Sequence, residues 1–289
     1  IASMCNATNS LDFSIMERTA FTKMYKKAKE KGTEAISMEY DIPQEEVEVL
    51  LPSLIVLNRL LKYTVNDSIL LSNVLLSDAV MFEMLFPKEA SFVVKAYEEF
   101  TLQSATSIAE RFGRDTGHIS RVSSVALEIY DKMKKLHGYK LRERTLLQVS
   151  AILQDIGKYV NVRNHALLSY NTITNLDIVG INDHERLIIA TVCYYHNGNI
   201  PSMDSPIYNQ LSQEDRVMVS KLAAILQISN AINTSHSPKF EQVSVNMKNG
   251  KLNIYLTTLK NINLEKWAFI AKTKLFREVY GLNATIIKR

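Results

Sequence analysis

The spacing of apolar positions divides the chain into a mixed first region, a long helical region and a small terminal unit. Residues 1–12 are polar and carry no period. From Ser14, the positions Ile15, Ala20, Phe21, Met24, Tyr25 and Ala28 predict one side of a helix, which Gly32 stops. Ala35–Tyr40 reads as a strand or extended segment. Asp41–Glu46 opens a second helix with Pro43 in its first turn, and Val47–Tyr63 is apolar at helical spacing. Ser68–Ser72 predicts a short buried strand, and Ser77–Leu85 a helix that Pro87 ends. Helices mixed with strands belong to an α/β layer, and one or two strands do not make a stable sheet alone. Residues 1–88 are therefore expected to be the tail of a larger α/β domain. The opening Ile-Ala-Ser-Met-Cys, with no initiator Met, reads as an internal cut in a longer protein.

From residue 89 to 236 the period is helical. Helices are expected over Ser91–Phe112, His118–Met133, Arg144–Tyr159, Asn164–Asn175, Glu185–His196 and Ser212–Asn233. In the second of these, Ile119, Val122, Val125, Ile129 and Met133 share one stripe. Residues 237–289 change character. Val243–Met247 and Leu252–Leu256 alternate on either side of Gly250 and predict a hairpin. A helix holding Trp267 and Phe276 follows, then a strand at Ala284–Ile287. The fold class is therefore mostly α, with a small α+β unit at the end. No internal repeat and no low-complexity linker interrupts the chain.

Composition narrows the classes. The 289 residues include 46% apolar residues, 9 Gly and 6 Pro, which fits a helix-rich globular chain. A net charge of +4 suits an anionic ligand but is too weak to argue for nucleic acid. The basic run Lys23–Lys31 reads as a solvated helix face. Cys5 and Cys193 form no disulfide framework, which points to a reducing cytoplasm, and no apolar run is long enough to span a membrane.

Five polar residues open, interrupt or end apolar helices: His118, Asp155, His165, His196 and Asn230. A buried carboxylate needs a partner or a metal. Each residue alone has an ordinary structural role open to it, and Asp155 has Lys158 or a nearby Arg as an alternative partner. Together, imidazole and carboxylate suit a divalent ion with open positions.

Their order resembles HD-superfamily phosphohydrolases, and most closely the exopolyphosphatase/guanosine pentaphosphate phosphatase (Ppx/GppA) family. His118 with Val122 and Ala126 is similar to the first HD helix. Leu147–Gly157 is similar to that family's Leu-x-x-Ala-Ala-x-Leu-His-x-x-Gly segment, His165 with Ser169 to His-x-x-His-Ser, and Tyr195-His196 to Tyr-His. Leu51–Leu57 and Leu75–Val80 resemble the last two motifs of the family's phosphatase module. The resemblance implies an HD-like helical domain over residues 89–236. An actin/hexokinase-like α/β tail would precede it, and the α+β unit would follow.

The departures fall on chemistry. Gln154 stands where the HD pair has His, Leu168 replaces a family His, and Asn230 sits where an HD enzyme has its late Asp. Ser77 and Ala79 replace the family's Arg and Gly, and Glu46-Val47-Glu48 stands where it has Arg-Ala-Asp. The resemblance implies a metal set of His118, Asp155 and His196, weakened by these changes. It assigns no catalytic residue within the chain. Mg2+ or another divalent metal is expected in the whole protein, held weakly or not at all here. Arg114, Arg121, Lys158 and Arg163 are the candidate phosphate-binding residues. The leading expectation is the C-terminal region of a phosphoanhydride hydrolase of polyphosphate or guanosine pentaphosphate. This region would itself be inactive and serve homodimerisation or anion binding, with no specific nucleic-acid partner. A regulatory pseudo-enzyme and an active HD-type metal phosphohydrolase are the alternatives.

Overall fold

The computed structural model describes residues 3–5, 8–9, 13–72, 76–86, 91–235, 239–248 and 250–289. The chain falls into two units, residues 1–91 and 92–289. No described helix is long and apolar enough to cross a membrane, and both cysteines are free and buried.

In the first unit, β1 (Thr8–Asn9), β2 (Phe13–Glu17) and β3 (Ser68–Ser72) form an antiparallel sheet in that order. Helices α1 (Arg18–Tyr40) and α2 (Gln44–Leu61) precede β3, and α3 (Leu76–Leu85) follows it. The helix expected from Ser14 starts four residues later, because Ser14–Glu17 obeys a period of two. Ser14 and Met16 are buried while Ile15 and Glu17 are exposed. Met16 pairs with Ile69 across the ladder. Gly32, at φ 78° and ψ 171°, stops the first helical half of α1 as expected, and a second half follows the kink. Ala35–Tyr40, expected as a strand, is the helix's second half. Ile36 buries there with Phe21, Met24, Ala28, Val47 and Leu54 in one core. β3 is also less buried than its apolar run suggests, with Leu70 65% exposed. The Arg18 guanidinium donates to the carbonyl of Leu61 at the end of α2 and to those of Thr64 and Asn66 in the loop that follows. Pro87 lies outside the described residues.

The second unit opens with α4 (Ser91–Arg111), α5 (Thr116–Lys132), α6 (Lys134–His137) and α7 (Leu141–Leu153). A 3-10 turn over Ile156–Tyr159 leads to α8 (His165–Ile173), α9 (Asp183–Tyr195), α10 (Pro206–Asn209) and α11 (Gln213–Ile232). β4 (Gln242–Lys248) and β5 (Lys251–Thr257) form the expected hairpin, with Val245 opposite Ile254 and Gly250 in the turn at φ 68°. Helix α12 (Asn263–Tyr280) returns the chain to β6 (Asn283–Lys288), which lies parallel to β5. The protein is thus mostly α with a C-terminal α+β unit. One apolar core runs from Ile108 and Val122 through Leu147 and Leu226 to Ile254 and Phe276.

The central helix stops at Leu153, six residues earlier than expected. Gly157 explains the break. A Cβ at this position would stand 2.2 Å from the His165 carbonyl oxygen and 2.5 Å from the Ser169 nitrogen. The close approach that α8 makes here is open only to glycine.

Candidate functional site around Asp155

Three local devices bring the polar residues together. Asp155 caps the 3-10 turn, where the chain has left α7. Ser169 locks α8 onto that turn: its hydroxyl donates to the Gln154 carbonyl at 2.8 Å and accepts the Gly157 N–H at 2.9 Å. His165, the first residue of α8, is thereby held beside the turn. His196 caps α9, and its Nδ1–H donates to the Cys193 carbonyl at 2.5 Å. On the far side, the Asp115 side chain accepts the N–H groups of Gly117 and His118 and fixes the first turn of α5.

The result is a buried carboxylate with different surroundings on its two oxygens. Asp155 Oδ1 lies 3.3 Å from His196 Nε2 and 3.6 Å from His165 Nε2. Those two ring nitrogens are 3.2 Å apart. Asp155 Oδ2 accepts from Lys158 Nζ at 2.7 Å and has His118 Nε2 at 4.0 Å. Burial by itself raises the Asp155 carboxyl, but His196 and Lys158 outweigh it and hold the group below the usual carboxylate range. The His196 contact is a hydrogen bond only when Nε2 carries a proton, because Nδ1–H is committed to a carbonyl. The Lys158 contact supports the same direction without that condition. Burial, followed by the neighbouring His196, holds His165 below the ordinary imidazole value.

Beside His118, a cavity of about 50 Å³ is lined by Arg114, Ile152, Gln154 and Asp155. That is room for a few waters. Gln154 is 1% exposed, and its Oε1 has no hydrogen-bond partner among the described residues. Arg114 borders this cavity. Arg121 Nη2 stands 3.8 Å from Asp115 Oδ2. Arg163 is exposed on the loop before α8 and is not part of the cluster around the carboxylate, and Asn230 is half-buried on α11. Of the expected metal set, Asp155 and His196 converge on Oδ1 together with His165. His118 approaches the other oxygen.

Lys272 is a functional candidate that sequence reasoning missed. Burial lowers its ammonium, the charge of Asp155 opposes that effect and Lys158 reinforces it, so it lies within electrostatic reach of both. A lysine on the amphipathic helix α12, 117 residues from Asp155 (272 − 155), carries no local signal of that role. His165 did carry one, as a lone polar residue opening an apolar helix.

Residues 102–275 match the family model of the Ppx/GppA phosphatase, domain III, which covers more than half of the chain. The chain belongs to the Ppx/GppA phosphatase family. The Ppx/GppA domain runs from α4 into α12. It therefore contains the whole Asp155 cluster, the cavity beside it and Lys272.

Proposed function

We propose that residues 92–289 are the helical accessory domain of a Ppx/GppA-type phosphoanhydride hydrolase, and that the domain binds an anionic phosphate chain without cleaving it. The substrate class is polyphosphate or guanosine pentaphosphate. One observation carries this reading: more positive charge gathers at Asp155 than that carboxylate neutralises. Lys158 already stands 2.7 Å from Asp155, while Lys272 lies nearby and Arg114 borders the adjoining cavity. Phosphate oxygens supply the missing negative charge and suit ammonium and guanidinium donors. Gln154 and Asn230 weaken the HD-type alternative, because neutral amides replace an imidazole and a carboxylate. In the family this chain resembles, a carboxylate-positioned water, backbone N–H groups and Mg2+ do the hydrolysis, outside the helical domain.

The test is fluorescence anisotropy of labelled polyphosphate with the full chain. Arg114→Ala combined with Lys272→Ala is expected to weaken binding about tenfold, roughly 1.4 kcal/mol. Lys23→Ala with Lys26→Ala, on the exposed face of α1, serves as the charge-matched control and should leave it unchanged. Absence of binding to both polyphosphate and guanosine pentaphosphate, or equal loss in the two double variants, sinks the reading.

A further inference from the structure

We propose that Asp155, His165 and His196 form a binding site for one transition-metal dication of the Zn2+ class, on the Oδ1 side of the carboxylate. The reasoning starts from where the protons must be. A carbonyl oxygen only accepts hydrogen bonds. His165 Nδ1 lies 2.8 Å from the Val162 carbonyl and His196 Nδ1 lies 2.5 Å from the Cys193 carbonyl, so both Nδ1 atoms carry their rings' protons. Both Nε2 atoms face the same carboxylate oxygen, where each can carry a proton or give its lone pair to a metal ion. Three possible ligand atoms meet within 3.6 Å of one another, and all three residues are buried. A proton or a metal ion joins these atoms, and only a metal ion meets all three at once.

The spacing selects a metal ion. Around a tetrahedral ion with bonds of about 2.0–2.1 Å, neighbouring donors stand about 3.3–3.4 Å apart. The three separations here are 3.2, 3.3 and 3.6 Å. Two imidazoles and one carboxylate are a donor set that suits Zn2+, Co2+ or Fe2+ better than Mg2+. Each ring's Nδ1–H bond to a carbonyl is also the support that holds metal-ligating histidines in orientation. This set bypasses Gln154 and His118, so the loss of the HD pair's histidine leaves it whole. Lys158 has two effects. It takes Oδ2 and turns Oδ1 toward the rings, and its charge opposes a dication on the same carboxylate.

This inference is independent of phosphate binding, and its test contains no phosphate. The purified full chain is stripped with chelator and titrated calorimetrically with ZnCl2. One ion per chain is expected, with a Kd of about 1 μM or tighter. His165→Ala and His196→Ala should each weaken binding at least about 100-fold, and His118→Ala by less than about threefold. Lys158→Met should tighten it about tenfold or more, a gain that a purely structural role does not produce. No uptake by the unaltered chain overturns the proposal, as does undiminished uptake in the two His→Ala variants. Should those variants fail to fold by circular dichroism, the unaltered chain loaded with Co2+ decides. An intense tetrahedral visible spectrum supports the site, and a pale octahedral one overturns it.

Discussion

Two buried histidine environments in the same domain make opposite use of their nitrogens. His137 lies at the end of α6, with its ring centroid 4.1 Å from that of Tyr130 and 5.6 Å from that of Tyr139. Its Nε2–H donates to the Tyr130 carbonyl at 2.9 Å, and its Nδ1 accepts the Tyr139 N–H at 3.0 Å. Every polar atom of that ring is used, and burial holds its protonated form down. His165 and His196 are equally buried, yet each satisfies one nitrogen and turns the other toward a second acceptor. Burial alone therefore does not mark a functional histidine. Convergence does, because the second nitrogens of His165 and His196 meet at one buried carboxylate oxygen.

Glycines beside the two environments offer the largest contrast. Gly157→Ala forces a Cβ to within 2.2 Å of the His165 carbonyl and should destabilise the domain by about 1–3 kcal/mol in urea unfolding. It should also weaken Zn2+ uptake, because His165 must move. Gly138, next to His137, sits at φ 73°, and a Cβ there would meet nothing within 4 Å. Gly138→Ala should cost only about 1 kcal/mol, from backbone strain, and leave uptake intact. Equal effects on Zn2+ uptake would erase the distinction between the two sites.

A smaller effect comes from pH. The folded-state value of His137 is lowered, first by burial and then by the charge of Lys221, against the hydrogen bond to Tyr130 and the charges of Asp131 and Glu143. Above the unfolded value near 6.5 the ring is neutral in both states, and His137 contributes no pH dependence. As pH falls below about 6.5 the unfolded chain binds a proton that the folded ring resists. Stability then drops by up to about 1.4 kcal/mol per pH unit until the folded value is reached. His137→Gln should flatten the stability profile just below about pH 6.5. An unchanged slope would show that the ring titrates alike in both states.

The helical period from Ser91 to Asn233 made most of this domain legible, because its stripes face one shared core. The hairpin was legible because Gly250 separates two strictly alternating runs. The failures had non-local causes. β2 is a strand because its ladder partner lies some fifty residues later, at Ser68–Ser72. α1 resumes after Gly32 because Ile36 finds the core that α2 completes. α7 ends at Leu153 because α8 crosses Gly157, a contact that no local pattern announces. At the site, the polar residues themselves could be picked out, but their pairing could not. Which histidine meets which carboxylate oxygen depends on the hydroxyl of Ser169 and on carbonyls at Val162 and Cys193.

The most direct test of the Asp155 centre is nitrogen-15 NMR of the imidazole rings in the Zn2+-titrated chain. His165 and His196 are predicted to keep their protons on Nδ1, with both Nε2 resonances shifting on metal addition. His137 should keep its proton on Nε2 and not shift. A proton on Nε2 of His165 or His196 throughout the titration, or a metal shift at His118 instead, would contradict the account.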